Sequence, residues 1–292
     1  MTRLRYCLPI VGLLAATTAT LANPTLTGPI GQGLLMPSAD TPGSGGVQLG
    51  ASWYATDGSS EVRKLSVGAP CNGDGLSLRG AFGLGDRAEA SVGFLTIDKS
   101  RGEADSIGFG LKYRVRQTDD SALALGASYR SWDSDLWMRL PGGVSFAPQG
   151  LPDVLSVYAV GTKELSVSDR GVLTGSLGLT YDHYDRAASV LAPIPWPPPP
   201  GIPIDPDLTI REEGFIRPFA SLEFRGDCGW SIAGDFRFKE EEGRFKYSDT
   251  TASLTVRKAM EDGWGLEVGY HTFNVPWTDA DGTIAAGLTW QR

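Results

Sequence analysis

The chain is poor in the side chains that most catalytic and metal centres need. Its 292 residues include three cysteines and two histidines, with no Cys-x-x-Cys pair, no His-Glu-x-x-His and no glycine loop ending in Lys-Ser/Thr. Those are the spacings that zinc sites, metalloproteases and phosphate-binding loops use, so no metal, no cofactor and no catalytic residue are expected. Basic runs are also missing, and 26 Lys+Arg stand against 34 Asp+Glu for a formal net charge of −8. A general nucleic-acid binder needs the opposite footprint, because it must displace counterions from phosphate. After the first two dozen residues there is no apolar stretch of the roughly 20 residues that a helix needs to cross a bilayer. Glycine, by contrast, is abundant: 38 residues in a chain that is 41% hydrophobic, too apolar for a disordered segment.

Residues 1–22 read as a secretory signal peptide. Arg3 and Arg5 precede an apolar run from Tyr6 to Ala16, and small residues lead to Thr20-Leu21-Ala22, which gives the charged, apolar and small-residue regions of a cleavable address. Cys7 lies inside the apolar run and not after the cleavage motif, so no lipid-modified cysteine is expected. Cleavage after Ala22 leaves 24 basic side chains against 34 acidic ones, an exported acidic protein. It is then either soluble outside the inner membrane or crosses a membrane as strands.

From residue 47 onward the dominant period is two. Leu76, Leu78, Gly80, Phe82 and Leu84 alternate with Ser77, Arg79, Ala81 and Gly83, and Ile107 to Val115 alternate with Ser106 to Arg114, which puts one apolar and one polar or small face on each strand. The pattern recurs at 47–55, 88–94, 123–129, 173–181, 216–224, 230–238, 264–270 and 284–290, and in weaker phase at 154–163 and 250–258. That makes about twelve strands of roughly nine to eleven residues, the length of a tilted strand across a bilayer. Short, turn-rich connections at 85–86, 117–120, 166–171, 226–228 and 261–263 alternate with longer ones at 57–75, 97–104, 131–153, 183–214, 239–249 and 273–283. An all-β, transmembrane, antiparallel up-and-down barrel with short periplasmic turns and long external loops has that asymmetry. Residues 47–292 are therefore expected to form an outer-membrane barrel of a Gram-negative-type cell, with residues 23–46 as a periplasmic lead-in or partial plug.

Aromatics gather at the strand ends: Trp53, Phe94, Trp132, Tyr181, Phe238 and Tyr270 beside long connections, and Tyr113, Phe224, Trp230, Trp264 and Trp290 near short ones, as interfacial girdles require. The other faces carry Arg79, Glu89, Lys112, Arg114, Glu223, Arg225, Asp235, Arg237 and Glu267. Facing lipid at mid-bilayer, an Arg or Lys would cost about 2–4 kcal/mol, so these nine are expected to line the lumen and to pair there. Lipid and lipopolysaccharide on the outside, and the barrel-assembly machinery, are the implied partners.

The segment Gly28 to Asp40, with Gly33, Leu34, Leu35, Pro37, Ser38 and Ala39 at its centre, followed by Gly46-Val47-Gln48-Leu49-Gly50, resembles the opening of YjbH-type outer-membrane β-barrel proteins. Phe82-Gly83-Leu84-Gly85-Asp86-Arg87-Ala88-Glu89 is similar to the strand–turn–strand of that group and of other outer-membrane barrels. The resemblance implies a link to exopolysaccharide production or export, with polysaccharide as a partner, and the leading expectation is a non-enzymatic barrel serving as a narrow pore or assembly component. A general small-solute porin is the alternative within the fold.

A barrel hydrolase is the alternative of another class, with His183, in Asp182-His183-Tyr184-Asp185, or His271 in a His/carboxylate site at the external mouth. The two cysteines of the mature chain, Cys71 on a long connection and Cys228 at a short one, fall at opposite ends of the barrel, too far apart for a disulfide that needs Cα atoms within about 7 Å. The longest connection contains Pro197-Pro198-Pro199-Pro200 within a proline-rich stretch at 192–206 and reads as a stiff external spacer or lid. Glu240-Glu241-Glu242 near Arg244 reads as a solvated loop, and Asp279-Ala280-Asp281-Gly282, which lacks the distal Glu of a calcium loop, as a hairpin turn.

Overall fold

The structure, a computed structural model, describes residues 23–25, 30–31, 36–57, 73–99, 102–134, 138–139, 145–146, 153–184, 213–238, 251–272 and 282–292. Twelve antiparallel strands close into one barrel: β1 (Val47–Asp57), β2 (Gly73–Gly83), β3 (Ala88–Lys99), β4 (Gly102–Gln117), β5 (Ser121–Ser134), β6 (Val154–Ser168), β7 (Gly171–Tyr184), β8 (Glu213–Gly226), β9 (Trp230–Arg237), β10 (Thr251–Ala259), β11 (Trp264–His271) and β12 (Gly282–Gln291). Each strand pairs with the next in the chain, and β12 returns to β1 with Gln291 opposite Gln48 and Gly282 opposite Asp57. Closure leaves no unpaired edge, the condition for carrying backbone polar groups through an apolar medium. Two short pairs, Asn23–Pro24 with Ile30–Gly31 and Met138–Arg139 with Ser145–Phe146, are not members of the ring; Asn23–Pro24 lies against β1 and β2, with Thr25 fully buried beside it.

The twelve strands run 8 to 16 residues, a wider spread than the alternation predicts. β4 and β6 are the longest, and each carries a bulge near its end, between Arg114 and Arg116 and between Glu164 and Ser166. The extra residue lets a strand run on past its partner while its inner and outer faces are kept. Connections at one end are short (84–87, 118–120, 169–170, 227–229, 260–263), and Gly229 at φ +75 and Asp262 at φ +57 take the left-handed conformation there, which Gly and Asp tolerate in tight turns. At the other end the connections are 58–72, 100–101, 135–153, 185–212, 238–250 and 272–281. The expected long connection at 97–104 is corrected: β3 and β4 stay paired as far as Lys99 opposite Gly102, so only residues 100–101 join them. The signal segment 1–22, Cys71, the proline-rich stretch 192–206, Glu240–Glu242 and Asp279–Asp281 lie outside the described residues.

The wall is apolar outside and polar inside. Leu177, Phe109 and Leu111 are 72%, 55% and 63% exposed, whereas Arg217, Glu223 and Glu267 are at most 2% exposed. Trp53, Phe94, Tyr113, Tyr181, Phe224, Trp230, Phe238, Trp264 and Tyr270 are exposed, and Trp290 is half-buried. Trp132 is corrected: it is buried inside, because Tyr129 faces out and strict alternation then turns Arg130 and Trp132 inward. Inner aromatics lie flat across glycines on neighbouring strands. A Cβ at Gly126 would sit 2.3 Å from the Tyr158 ring, at Gly178 2.2 Å from Phe219, and at Gly75 2.1 Å from Tyr54. Each pair is in direct cross-strand register, so glycine abundance here is a packing requirement of a crowded lumen.

Candidate functional site: the charged lumen

Two ion-pair networks organise the inner face. In the first, Glu267 on β11 accepts from Arg79 on β2 and from the Ser52 hydroxyl on β1 at 2.7 Å, and its other oxygen lies 3.6 Å from Arg257 Nε on β10. Arg257 reaches on to Glu223 on β8 at 3.9 Å, and Glu223 pairs with Arg225 at 3.6 Å. Arg225 also donates to the Thr174 hydroxyl at 3.1 Å. One chain of charges thus links β2, β11, β10 and β8. In the second, Asp182 on β7 is shared by Arg217 and Arg237, the latter at 3.4 Å, and accepts from Ser156 at 2.6 Å and Thr180 at 2.8 Å. Lys112 and Glu89, opposite each other on β4 and β3, pair at 2.8 Å. Arg130 donates to Ser106 at 2.6 Å and lies 6.0 Å above the Trp132 ring centroid, within reach of a cation–π attraction.

Of the nine residues singled out in the sequence, Arg79, Glu89, Lys112, Glu223, Asp235 and Glu267 are buried on the inner face, and Arg225 and Arg237 are half-buried within the two networks. Arg114 stands apart at the turn end, where its guanidinium donates to the Asp86 carbonyl. Sequence reasoning missed Arg130, Asp182, Arg217 and Arg257. Arg217 shares the parity of Glu223 and Arg225 on the same strand, whereas Asp182 and Arg130 lie beyond the ends at which the alternation weakens, and Arg257 sits on a strand of weak phase.

Among the described residues the inner face carries Arg79, Lys112, Arg130, Arg217, Arg225, Arg237 and Arg257 against Glu89, Asp182, Glu223, Asp235 and Glu267. Cations therefore outnumber carboxylates inside a chain whose net charge is −8. Asp182, Glu223 and Glu267 each hold two guanidiniums, Glu89 holds Lys112 and Asp235 accepts from Ser253, so positive charge is left over among these residues. In a low-dielectric wall such a surplus acts on a passing ion more strongly than the same charges would in bulk water.

At the turn end the lumen widens into a cavity of about 1020 Å³, bordered by Asp40–Gly46, Asp86, Arg114, Thr118–Ser121, Glu164 and Arg225. On its rim the Asp120 carboxyl is held below the usual carboxylate range, first by the Thr118 hydroxyl at 3.0 Å and then by Lys163 at 3.5 Å.

The two histidines do not come together. His271 is buried on the inner face of β11, and His183 lies on the outer side of β7, its ring stacked 6.5 Å from Tyr181. Asp182 and His183 are strand neighbours and point to opposite faces, so these two do not form the His/carboxylate pair of the hydrolase alternative, and Asp185 lies outside the described residues. Cys228 is exposed at the turn end, its carbonyl accepting from Lys258 at 2.5 Å; with Cys71 outside the described residues, the expectation about their pairing lies outside them too.

No family model matches the chain, and no curated protein matches it. Solved structures do share its fold. The NanC porin superposes with a TM-score of 0.54 at 9% identity, covering 84% of this chain and 98% of its own. The KdgM porin gives 0.48 at 11% identity, over 83% and 98%, and an outer-membrane channel from Pseudomonas putida F1 gives 0.49 at 12%, over 87% and 97%. At such identities the likeness, carried by the NanC porin, is one of fold alone.

Proposed function

We propose that the protein is a non-enzymatic outer-membrane barrel whose lumen is a narrow passage for small anionic solutes. The observation that carries this reading is the inversion of the wall. A continuous apolar band around the outer surface suits lipid, and a closed, ion-paired inner surface with surplus guanidinium charge suits water and anions. The signal segment at 1–22 supplies export, the assembly machinery inserts the barrel, and lipid and lipopolysaccharide surround it. The resemblance over residues 28–50 supports a link to envelope or exopolysaccharide production or export, and a cationic lumen is compatible with acidic saccharides.

The test is expression of the full chain, recovery from the outer-membrane fraction as a β-rich, heat-modifiable species, and conductance in a planar bilayer under a KCl gradient. A reversal potential favouring chloride is expected. Recovery as a soluble periplasmic protein overturns the membrane reading, and cation preference overturns the solute class. Loss of exopolysaccharide in a deletion strain, restored by the wild-type gene, is the expected result for the polysaccharide link; unchanged exopolysaccharide removes it.

A further inference from the structure

We infer that residues 36–41 form an internal strap that crosses the lumen and closes the passage, and that Thr162 and Asp235 are the wall sites that hold it shut. The inference rests on the channel reading above and adds how that channel is closed.

The strap is rooted beside β1. Gly45 N donates to the Gly83 carbonyl at 3.2 Å, Gly83 N to the Gly46 carbonyl at 2.8 Å, and Gly46 N to the Gly43 carbonyl at 3.1 Å. The fit there is so close that a Cβ on Gly83 would meet the Gly43 carbonyl at 1.5 Å, which fixes the root against β2. From the root the chain turns inward. Thr41 donates to the Asp86 carbonyl at 3.4 Å, Ala39 N to the Thr162 hydroxyl at 2.8 Å, and Met36 N to Asp235 Oδ2 at 3.4 Å. In the twelve-strand ring, β2, β6 and β9 lie four, three and five strands apart. A segment tied at those three places spans the cross-section instead of lining one side. Ser38 and Ala39 are fully buried there.

The polar hold on the strap is light, and Met36 and Ala39 add apolar packing in the buried cluster that holds Tyr158, Val160 and Phe219. Among the described residues, two backbone N–H groups of the strap reach wall side chains deep in the lumen, and one of those bonds is long. Both acceptors also serve wall partners: Thr162 is 2.7 Å from the Ser176 hydroxyl, and Asp235 accepts from Ser253 at 2.9 Å. The wall therefore keeps its own hydrogen bonds when the strap leaves. Directly on the turn-end side lies the cavity of about 1020 Å³, bordered by the strap's own Asp40 and Thr41, so the segment has room to swing without moving a strand. Deleting the segment removes the Asp40 carboxylate with it, which raises the surplus of positive charge in the lumen.

The experiment compares single-channel conductance of the full chain, of a variant lacking residues 36–41, and of Thr162→Val, each checked for heat-modifiable mobility. Deletion is expected to raise conductance at least threefold and to strengthen chloride preference. Thr162→Val keeps the side-chain shape and removes the acceptor of Ala39 N; it is expected to raise the open fraction about fivefold, the effect of one ordinary hydrogen bond. If the deletion variant does not fold, Thr162→Val carries the test alone. Equal conductance in deletion and wild type, or an unchanged open fraction in Thr162→Val, overturns the strap and leaves the channel standing. Folded barrels that never conduct, in wild type and variants alike, overturn the channel reading itself.

Discussion

On β2 the side chains of Leu76, Leu78 and Phe82 lie outside the wall, and Ser77, Arg79 and Ala81 lie inside it. The two faces are separated by a single backbone, yet they follow opposite rules. The outer face needs no specific partner, because lipid accepts any apolar side chain that reaches it. The inner face needs every partner, because a charge withdrawn from water is tolerated only when compensated. Substitutions outside should therefore act through transfer free energy, graded by depth, and substitutions inside through the neighbours they leave behind.

The largest effect is expected inside. Glu267→Ala strips the shared carboxylate from Arg79, Arg257 and Ser52 and should destabilise the barrel by about 3–5 kcal/mol, as breaking one side of a buried pair does, read by urea unfolding in phospholipid vesicles. Leu177→Arg at the middle of β7 tests the outer face. A charge facing lipid should cost about 2–4 kcal/mol, and a cost near zero would mean that this face meets water. Gly126→Ala probes crowding without charge: with the Tyr158 ring in the way, about 1–3 kcal/mol is expected from overpacking, relieved in part when Tyr158 is cut to alanine. The smallest effect belongs to the exposed rim. The lowered carboxyl of Asp120 contributes stability that is present above the ordinary carboxylate range and is lost as the pH falls through its folded value. Asp120→Asn should thus slightly lower stability at pH 7 and flatten the acid limb below about pH 4, checked by unfolding midpoints across pH.

Much of the wall was legible from period-two patterning, because burial on one side and lipid on the other impose the same alternation on every strand. Leu76 to Leu84 and Ile107 to Val115 state it without tertiary information. The alternation failed where it met the strand ends. Lys99 and Gly102 read as loop because their segment loses apolar contrast, and only pairing across the hairpin extends β3 and β4 that far. Trp132 read as girdle because aromatics collect at interfaces, yet its parity with Arg130 turns it inward. Asp182 read as part of an external cluster with His183, and the run of β7 to Tyr184 placed the two on opposite faces. Arg217 carried the right parity and was passed over, since nothing in sequence says that Asp182, 35 residues earlier, meets it on the neighbouring strand.

The sequence by itself determined a wall: strands of alternating character, their approximate number, and which face of each holds charge, since that pattern depends only on neighbours one and two residues away. Tertiary structure decided everything that depends on closure. It chose which guanidinium meets which carboxylate, set aromatic rings over glycines on the next strand, and carried residues 36–41 from a proline- and glycine-rich segment without strand pattern into the lumen. Those outcomes require registers and a ring of fixed circumference, so residues distant in the chain become neighbours only once β12 pairs with β1.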